Sequence, residues 1–221
     1  MNSRVIKLIV VGCMLIDHIS MVFLSEYSVL RILRAFPLLC FLMAYGATKT
    51  RNTFNYFIRV FIFAIITQVC FNLALNGNIF VFQKLNALFG TSMGLLAICL
   101  IKKSKNFVVG LVFVMLIMMI VLVTNVFVPM GYNGAGSMLV ILFYLGLRFL
   151  PLKTFKIYVL FCLLVYNLIN MVFSIWYIEW FSMFNFIILL FFVDKKLKIS
   201  VYEKWAFYIF YPLHLTILYL I

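Results

Sequence analysis

Val5-Ile6-Lys7-Leu8-Ile9-Val10-Val11-Gly12-Cys13-Met14-Leu15-Ile16-Asp17-His18-Ile19-Ser20-Met21-Val22-Phe23-Leu24 is the stretch that decides the class of this protein. It runs for twenty residues and is apolar apart from Lys7 near its start and Asp17, His18 and Ser20 in its second half. A helix rising ~1.5 Å per residue needs about 20 apolar residues to cross a hydrocarbon core of about 30 Å, so the segment reads as a membrane span. Arg4 and Lys7 stand at its start and no small-x-small cleavage site follows, which reads as a retained signal anchor rather than a removed signal peptide.

Eight further apolar runs follow, at 29–47, 56–75, 87–101, 107–127, 137–150, 157–175, 180–193 and 205–221. Apolar residues make up 67% of the 221-residue chain, against roughly 45–50% in a soluble domain. Only 10% of residues are charged, which excludes disordered and coiled-coil classes as well as an ordinary soluble protein. No internal repeat, linker or low-complexity tract divides the chain. The expectation is an all-α, multi-pass integral membrane protein with about nine transmembrane helices in one domain over 1–221. Runs 87–101 and 137–150 are short for a full crossing and read as tilted, re-entrant or packed within the protein.

A formal charge of +13 raises the question of a nucleic-acid partner, but the cations are distributed as topology signals. Counted by connection, fifteen of the eighteen Lys and Arg fall at the N-terminus and in every second connection; only Arg31, Arg34 and Lys84 fall on the other side. The positive-inside rule then puts the N-terminus in the cytoplasm, the C-terminus outside and the basic loops against anionic headgroups. Trp176, Trp180 and Trp205 sit at run boundaries, as an aromatic belt does. No nucleic-acid partner is expected. Cys13, Cys40, Cys70, Cys99 and Cys162 are scattered singly, without a C-x-x-C pair or a neighbouring His, and read as buried thiols rather than metal ligands. The segment 129–136 reads as a tight external turn; it lacks the Lys and the strand context of a phosphate loop.

Ionisable residues inside spans are costly, on the order of 2.5–3.5 kcal/mol each, and demand partners or a wet cavity. Asp17 and His18 in the first run, Arg34 in the second and His214 in the last are such residues. Helical rise puts Asp17 about 18 Å above the cytoplasmic end, Arg34 about 8 Å below the outer boundary and His214 about 14 Å up, so all converge near one level. A shared polar cavity follows. Adjacent helical residues point about 100° apart, so Asp17 is better placed to pair with Arg34 or Arg31 than to orient His18. That pair serves either chemistry or the locking of two helices, and His18 is left for acid–base work. Pro37 and Pro212 are expected to release the carbonyls of Leu33 and Tyr208. At the cytoplasmic end, Arg51, Asn52, Tyr56 and Arg59 form either a topology signal or a patch for a phosphorylated donor, where planar guanidinium groups suit phosphate oxygens. Lys84 and Asn86 lie on the outer side, where they escort an acceptor or are simply solvated.

In this order, Met14-Leu15-Ile16-Asp17-His18-Ile19, Arg34-Ala35-Phe36-Pro37-Leu38, Thr50-Arg51-Asn52 with Tyr56 and Arg59, Leu85-Asn86-Ala87-Leu88-Phe89, and Phe207-Tyr208-Ile209-Phe210-Tyr211-Pro212-Leu213-His214-Leu215 resemble the motifs of the TraX family, whose founding member acetylates the N-terminus of pilin. The resemblance spans the chain, although Leu33 stands where the family usually has Gly. That family is similar to the wider group of membrane acyltransferases. The resemblance implies an acetyltransferase in the bacterial cytoplasmic (inner) membrane. Its donor is acetyl-CoA bound near Arg51, Asn52, Tyr56 and Arg59, and its acceptor is a secreted peptide amine or a cell-surface group contacted by Arg31, Lys84, Asn86 and Tyr211. It implies His18, Asp17, Arg34 and His214 as the catalytic set, with no metal and with membrane lipid as surroundings. Rival readings of the buried charges are an ion or proton transporter and a non-catalytic scaffold of a pilus or secretion system.

Overall fold

A computed structural model describes residues 2–24, 34–80, 84–173, 177–193 and 201–221 of the chain. Regular structure among the described residues is helical: α1 (Ser3–Ile19), α2 (Phe36–Lys49), α3 (Thr53–Asn76), α4 (Ala87–Lys103), α5 (Phe107–Phe127), α6 (Ala135–Phe149), α7 (Leu152–Phe173), α8 (Asn185–Leu190) and α9 (Val201–Leu220). A π-helical turn, Ser20–Leu24, continues α1, and 3-10 turns occupy Gly131–Gly134 and Tyr177–Phe184. Four segments, Ser3–Leu24, Thr53–Asn76, Val108–Phe127 and Leu152–Met171, are long and apolar enough to cross a membrane.

Asparagine starts many of these helices. The side chains of Asn2, Asn52, Asn86 and Asn106 each accept from backbone N–H groups in the first turn of α1, α3, α4 and α5, satisfying donors that have no partner within the helix. At the far end of α3, Gly77 adopts φ +64 and closes the helix in the left-handed region where a side chain is strained.

Two apolar runs fold differently from expectation. The run 29–47 does not carry Arg34 within a helix: α2 begins at Phe36, with Pro37 in its first turn. Proline is favoured there because the N–H it lacks would have no intrahelical partner, so Pro37 starts the helix rather than interrupting it. Residues 29–33, Arg31 and Leu33 among them, lie outside the described residues. The run 180–193 is broken into the 3-10 turn Tyr177–Phe184 and the six-residue α8, rather than one continuous helix. Its buried polar residues explain the break: Asn185 donates to the carbonyl of Ser182 (2.7 Å), and Ser182 is bonded to Asn167 of α7. Trp176 is likewise outside the described residues.

α2 forms the centre, buried along nearly its whole length and packed against α1, α4 and α6. α4 and α6 approach closely because Gly94 leaves room: a Cβ there would stand 2.7 Å from the Ser137 carbonyl oxygen. Small residues permit such approaches between membrane helices. α5, by contrast, exposes Val109, Leu111, Met115, Met119 and Val123 along one face, the surface expected of a helix facing lipid, while Ile117 and Val121 are buried. At one end of the bundle, Lys102 donates to the Ala47 carbonyl (2.6 Å) and the Thr53 hydroxyl (2.9 Å) and stands 5.6 Å from the Tyr144 ring, joining α2, α3, α4 and α6. Arg4 and Glu203 pair at 2.9 Å between α1 and α9. Elsewhere, Leu85 exchanges backbone hydrogen bonds with Pro129 and Gly131 at 2.9 and 2.8 Å, which ties the α3–α4 and α5–α6 connections together.

Candidate active site

α1 and α9 bring both histidines of the chain into contact. Nδ1 of His18 lies 2.8 Å from Nε2 of His214, and Nδ1 of His214 lies 2.7 Å from the Phe210 carbonyl oxygen one turn earlier. Both rings are buried. The Phe210 ring stacks on His214 with centroids 4.6 Å apart, and the Tyr211 ring sits 5.6 Å from each imidazole. Pro212 lies inside α9 as expected and leaves the Tyr208 carbonyl without its helical donor.

Asp17 points to Arg34. Its Oδ1 is 3.9 Å from the Arg34 Nε, and both side chains are buried. The sequence argument that adjacent residues diverge is therefore met: Asp17 pairs with arginine while His18 pairs with histidine. Because Arg34 precedes α2, its carbonyl has no helical partner, and Asn185 Nδ2 donates to it at 2.9 Å. The ring of Tyr132 lies 5.6 Å from the guanidinium carbon, stacked at 3.8 Å on Phe36. The segment expected as an external turn thus reaches inward. Tyr132 holds φ +59, an unusual conformation for an aromatic residue, and Gly131 allows the approach because a Cβ would stand 2.9 Å from the backbone of Ala87.

The proposed donor residues divide between surface and interior. Arg51 and Asn52 are exposed, with Asn52 capping α3, whereas Tyr56 is buried and Arg59 half-buried. Tyr56 stands 3.1 Å from the Met43 sulfur. Arg59 and Tyr56 both lie near the Tyr208 side chain, with the Arg59 guanidinium carbon 5.9 Å from the Tyr56 ring. A narrow cavity of about 20 Å³ is lined by Met14, Met43, Phe207, Tyr208, Phe210 and Tyr211 among others. Tyr208 stands at one of its boundaries and Tyr211 at another. Of the residues expected to meet an acceptor, Tyr211 joins the histidines and Arg31 lies outside the described residues. Lys84 is exposed. Asn86 is buried and committed to the fold: its Nδ2 donates to the Ala64 carbonyl (2.8 Å) and to Gln68 Oε1 (3.0 Å), besides capping α4.

A family model described as TraX protein matches residues 2–221. The chain belongs to the TraX family. Searches of curated proteins and of solved structures found no match. Within this TraX-family chain, segments of α1, the start of α2 and α9 meet around the histidines and Arg34. Among the described residues no group of three or more His, Cys, Asp or Glu is placed to hold a metal ion. Sequence reasoning missed Tyr132, Asn185 and Met43. Asn185 carried a signal, being a polar amide inside an apolar run; Tyr132 carried only its position between glycines in a connection.

Proposed function

We propose that this protein is a multi-pass acetyltransferase of the bacterial cytoplasmic membrane. It would carry an acetyl group from cytoplasmic acetyl-CoA to an extracytoplasmic acceptor, such as the N-terminal amine of a pilin-like or other secreted peptide. One observation carries the reading: a buried imidazole pair, His18 with His214, lies next in sequence to a buried Asp17–Arg34 pair and packs against Tyr211, which also lines a narrow cavity shared with Tyr208. The topology that accompanies it has nine membrane segments, a cytoplasmic N-terminus and an external C-terminus. The joining of Lys102 to α2, α3 and α6 at one end, and of the α3–α4 and α5–α6 connections through Leu85, supports that alternation.

In this mechanism the acceptor amine attacks the thioester carbonyl carbon as His18 takes its proton. Arg34, held by Asp17 and faced by Tyr132, stabilises the negative charge that develops on the carbonyl oxygen. The C–S bond then breaks, and the departing thiolate receives the proton from the His18 imidazolium. Acetylated acceptor and free coenzyme A thiol are the products. Arg51 on the surface attracts the nucleotide phosphates, and Arg59 with Tyr208 supplies donors to the amide-bearing arm. At about 20 Å³ the cavity is water-sized, so the arm enters by displacing Met14 and Met43, whose unbranched thioethers adapt readily. A transporter would need a continuous polar path; the cavity lining here is apolar apart from the hydroxyls of Tyr208 and Tyr211, which favours the enzyme.

The test is acetyl-CoA binding and turnover by the detergent-purified protein. The reading predicts thermal stabilisation by acetyl-CoA that is lost in Arg51→Ala, and slow thiol release that is lost in His18→Ala while binding persists. A folded preparation that does not bind millimolar acetyl-CoA contradicts it.

A further inference from the structure

The two histidines also define which nitrogen is basic. A carbonyl oxygen only accepts hydrogen bonds, so His214 Nδ1, 2.7 Å from the Phe210 oxygen, carries a proton. A neutral imidazole has a single N–H, so His214 Nε2 then bears a lone pair and acts as an acceptor. Its partner at 2.8 Å is His18 Nδ1, which must therefore be the donor. Neutral His18 with its proton on Nδ1 carries its lone pair on Nε2.

We propose that His214 is a positioning residue that fixes His18 in the Nδ1–H tautomer, making Nε2 of His18 the proton-accepting atom of the reaction. The function of that atom rests on the acyltransferase reading; the tautomer does not. Three features of the site support a dedicated orienting role. Phe210 sets His214 twice, by its carbonyl on Nδ1 and by its ring, which lies 11° from parallel to the imidazole. Tyr211 packs beside both rings. Asp17, the carboxylate next in sequence to His18, is turned to Arg34, so the neutral imidazole of His214 occupies the place a carboxylate fills in other histidine-based sites. When His18 Nε2 takes the acceptor's proton, the resulting imidazolium keeps its Nδ1–H directed at His214 Nε2. His214 remains neutral and the proton is returned to the thiolate from the same Nε2.

The chain contains two histidines, which makes the test direct. The full-length protein is prepared in detergent or nanodiscs with 15N-labelled histidine, and long-range 1H–15N spectra report which nitrogen of each ring is protonated. The expected wild-type spectrum has both neutral rings protonated on Nδ1. In His214→Gln, where the amide oxygen replaces Nε2 as acceptor, His18 keeps that tautomer; in His214→Leu it loses it. Kinetically, His214→Leu is expected to lower kcat for acetyl-CoA turnover by about tenfold or more while KM changes by less than about twofold, with partial recovery in His214→Gln. A wild-type His18 protonated on Nε2, or a tautomer unaltered in His214→Leu, overturns the proposal. The expected tautomers in a protein that binds but never turns over acetyl-CoA would uphold the assignment and remove the acyltransferase reading instead.

Discussion

Replacing Asp17 by Asn removes the negative half of the pair with Arg34 while conserving its shape. The two groups are 3.9 Å apart and each residue is less than a tenth exposed. At an effective dielectric near 20, unit charges at this separation attract by about 4 kcal/mol. Removing one partner of a buried pair costs about 3–5 kcal/mol. The Tyr132 ring remains against the guanidinium and offsets about 1 kcal/mol, so the loss falls near the lower bound, about 3 kcal/mol. With ~2–4 °C per kcal/mol in a chain of this size, the unfolding midpoint should drop by on the order of 10 °C. Thermal unfolding followed by circular dichroism, at fixed detergent concentration, should be compared for wild type, Asp17→Asn, Arg34→Leu and the double variant. The double variant should be more stable than the sum of the two single losses predicts, because both single losses count the same interaction. Additivity to within about 0.5 kcal/mol would refute the reasoning, as would a loss below about 1 kcal/mol in Asp17→Asn.

Gly94→Val should destabilise the protein by about 2–3 kcal/mol, since its Cβ would stand 2.7 Å from the Ser137 carbonyl oxygen and 2.9 Å from Val140 Cβ; an unchanged midpoint in the same unfolding assay would contradict the close α4–α6 contact. Gln68→Leu should cost about 2–4 kcal/mol by leaving the Asn86 backbone N–H and the Lys84 carbonyl without their 2.7 and 2.9 Å partners. Chemical denaturation of this variant should show the loss, and stability equal to wild type would sink the idea. Alkaline phosphatase fused after residue 103 should be inactive and fused after residue 127 active, because the enzyme folds only outside the cytoplasm; the reverse pattern would invert the topology.

How much of this was legible beforehand depends on the kind of signal. The run at 5–24 marked α1 as a membrane helix because bilayer thickness and helical rise set the length. Depth counting from the run boundaries brought His18 and His214 to one level, and they touch. The 100° step between neighbours separated Asp17 from His18, and Asp17 indeed faces Arg34. The apolar run around Arg34 reads as continuous helix, yet Pro37, as a first-turn residue, marks the helix start beyond it. Asn86, immediately before an apolar helix, carried a capping signal that its proximity to Lys84 obscured. Tyr132 was illegible: a connection of glycines has no periodicity, and only the packing of Phe36 and Arg34 against it reveals that the turn points inward. The break in 180–193 follows from the local bond of Asn185 to the Ser182 carbonyl together with the bond of Asn167 in α7 to the Ser182 hydroxyl, a tertiary contact that leaves no local pattern.

The most direct measurement is thiol release from acetyl-CoA supplied to one face of proteoliposomes holding uniformly oriented protein, comparing wild type with His18→Ala. The account predicts release only when acetyl-CoA faces the basic connections, and a loss of about 100-fold or more in His18→Ala. Equal release from the two faces, or a rate undiminished in His18→Ala, would contradict a buried histidine acting on a cytoplasmic donor.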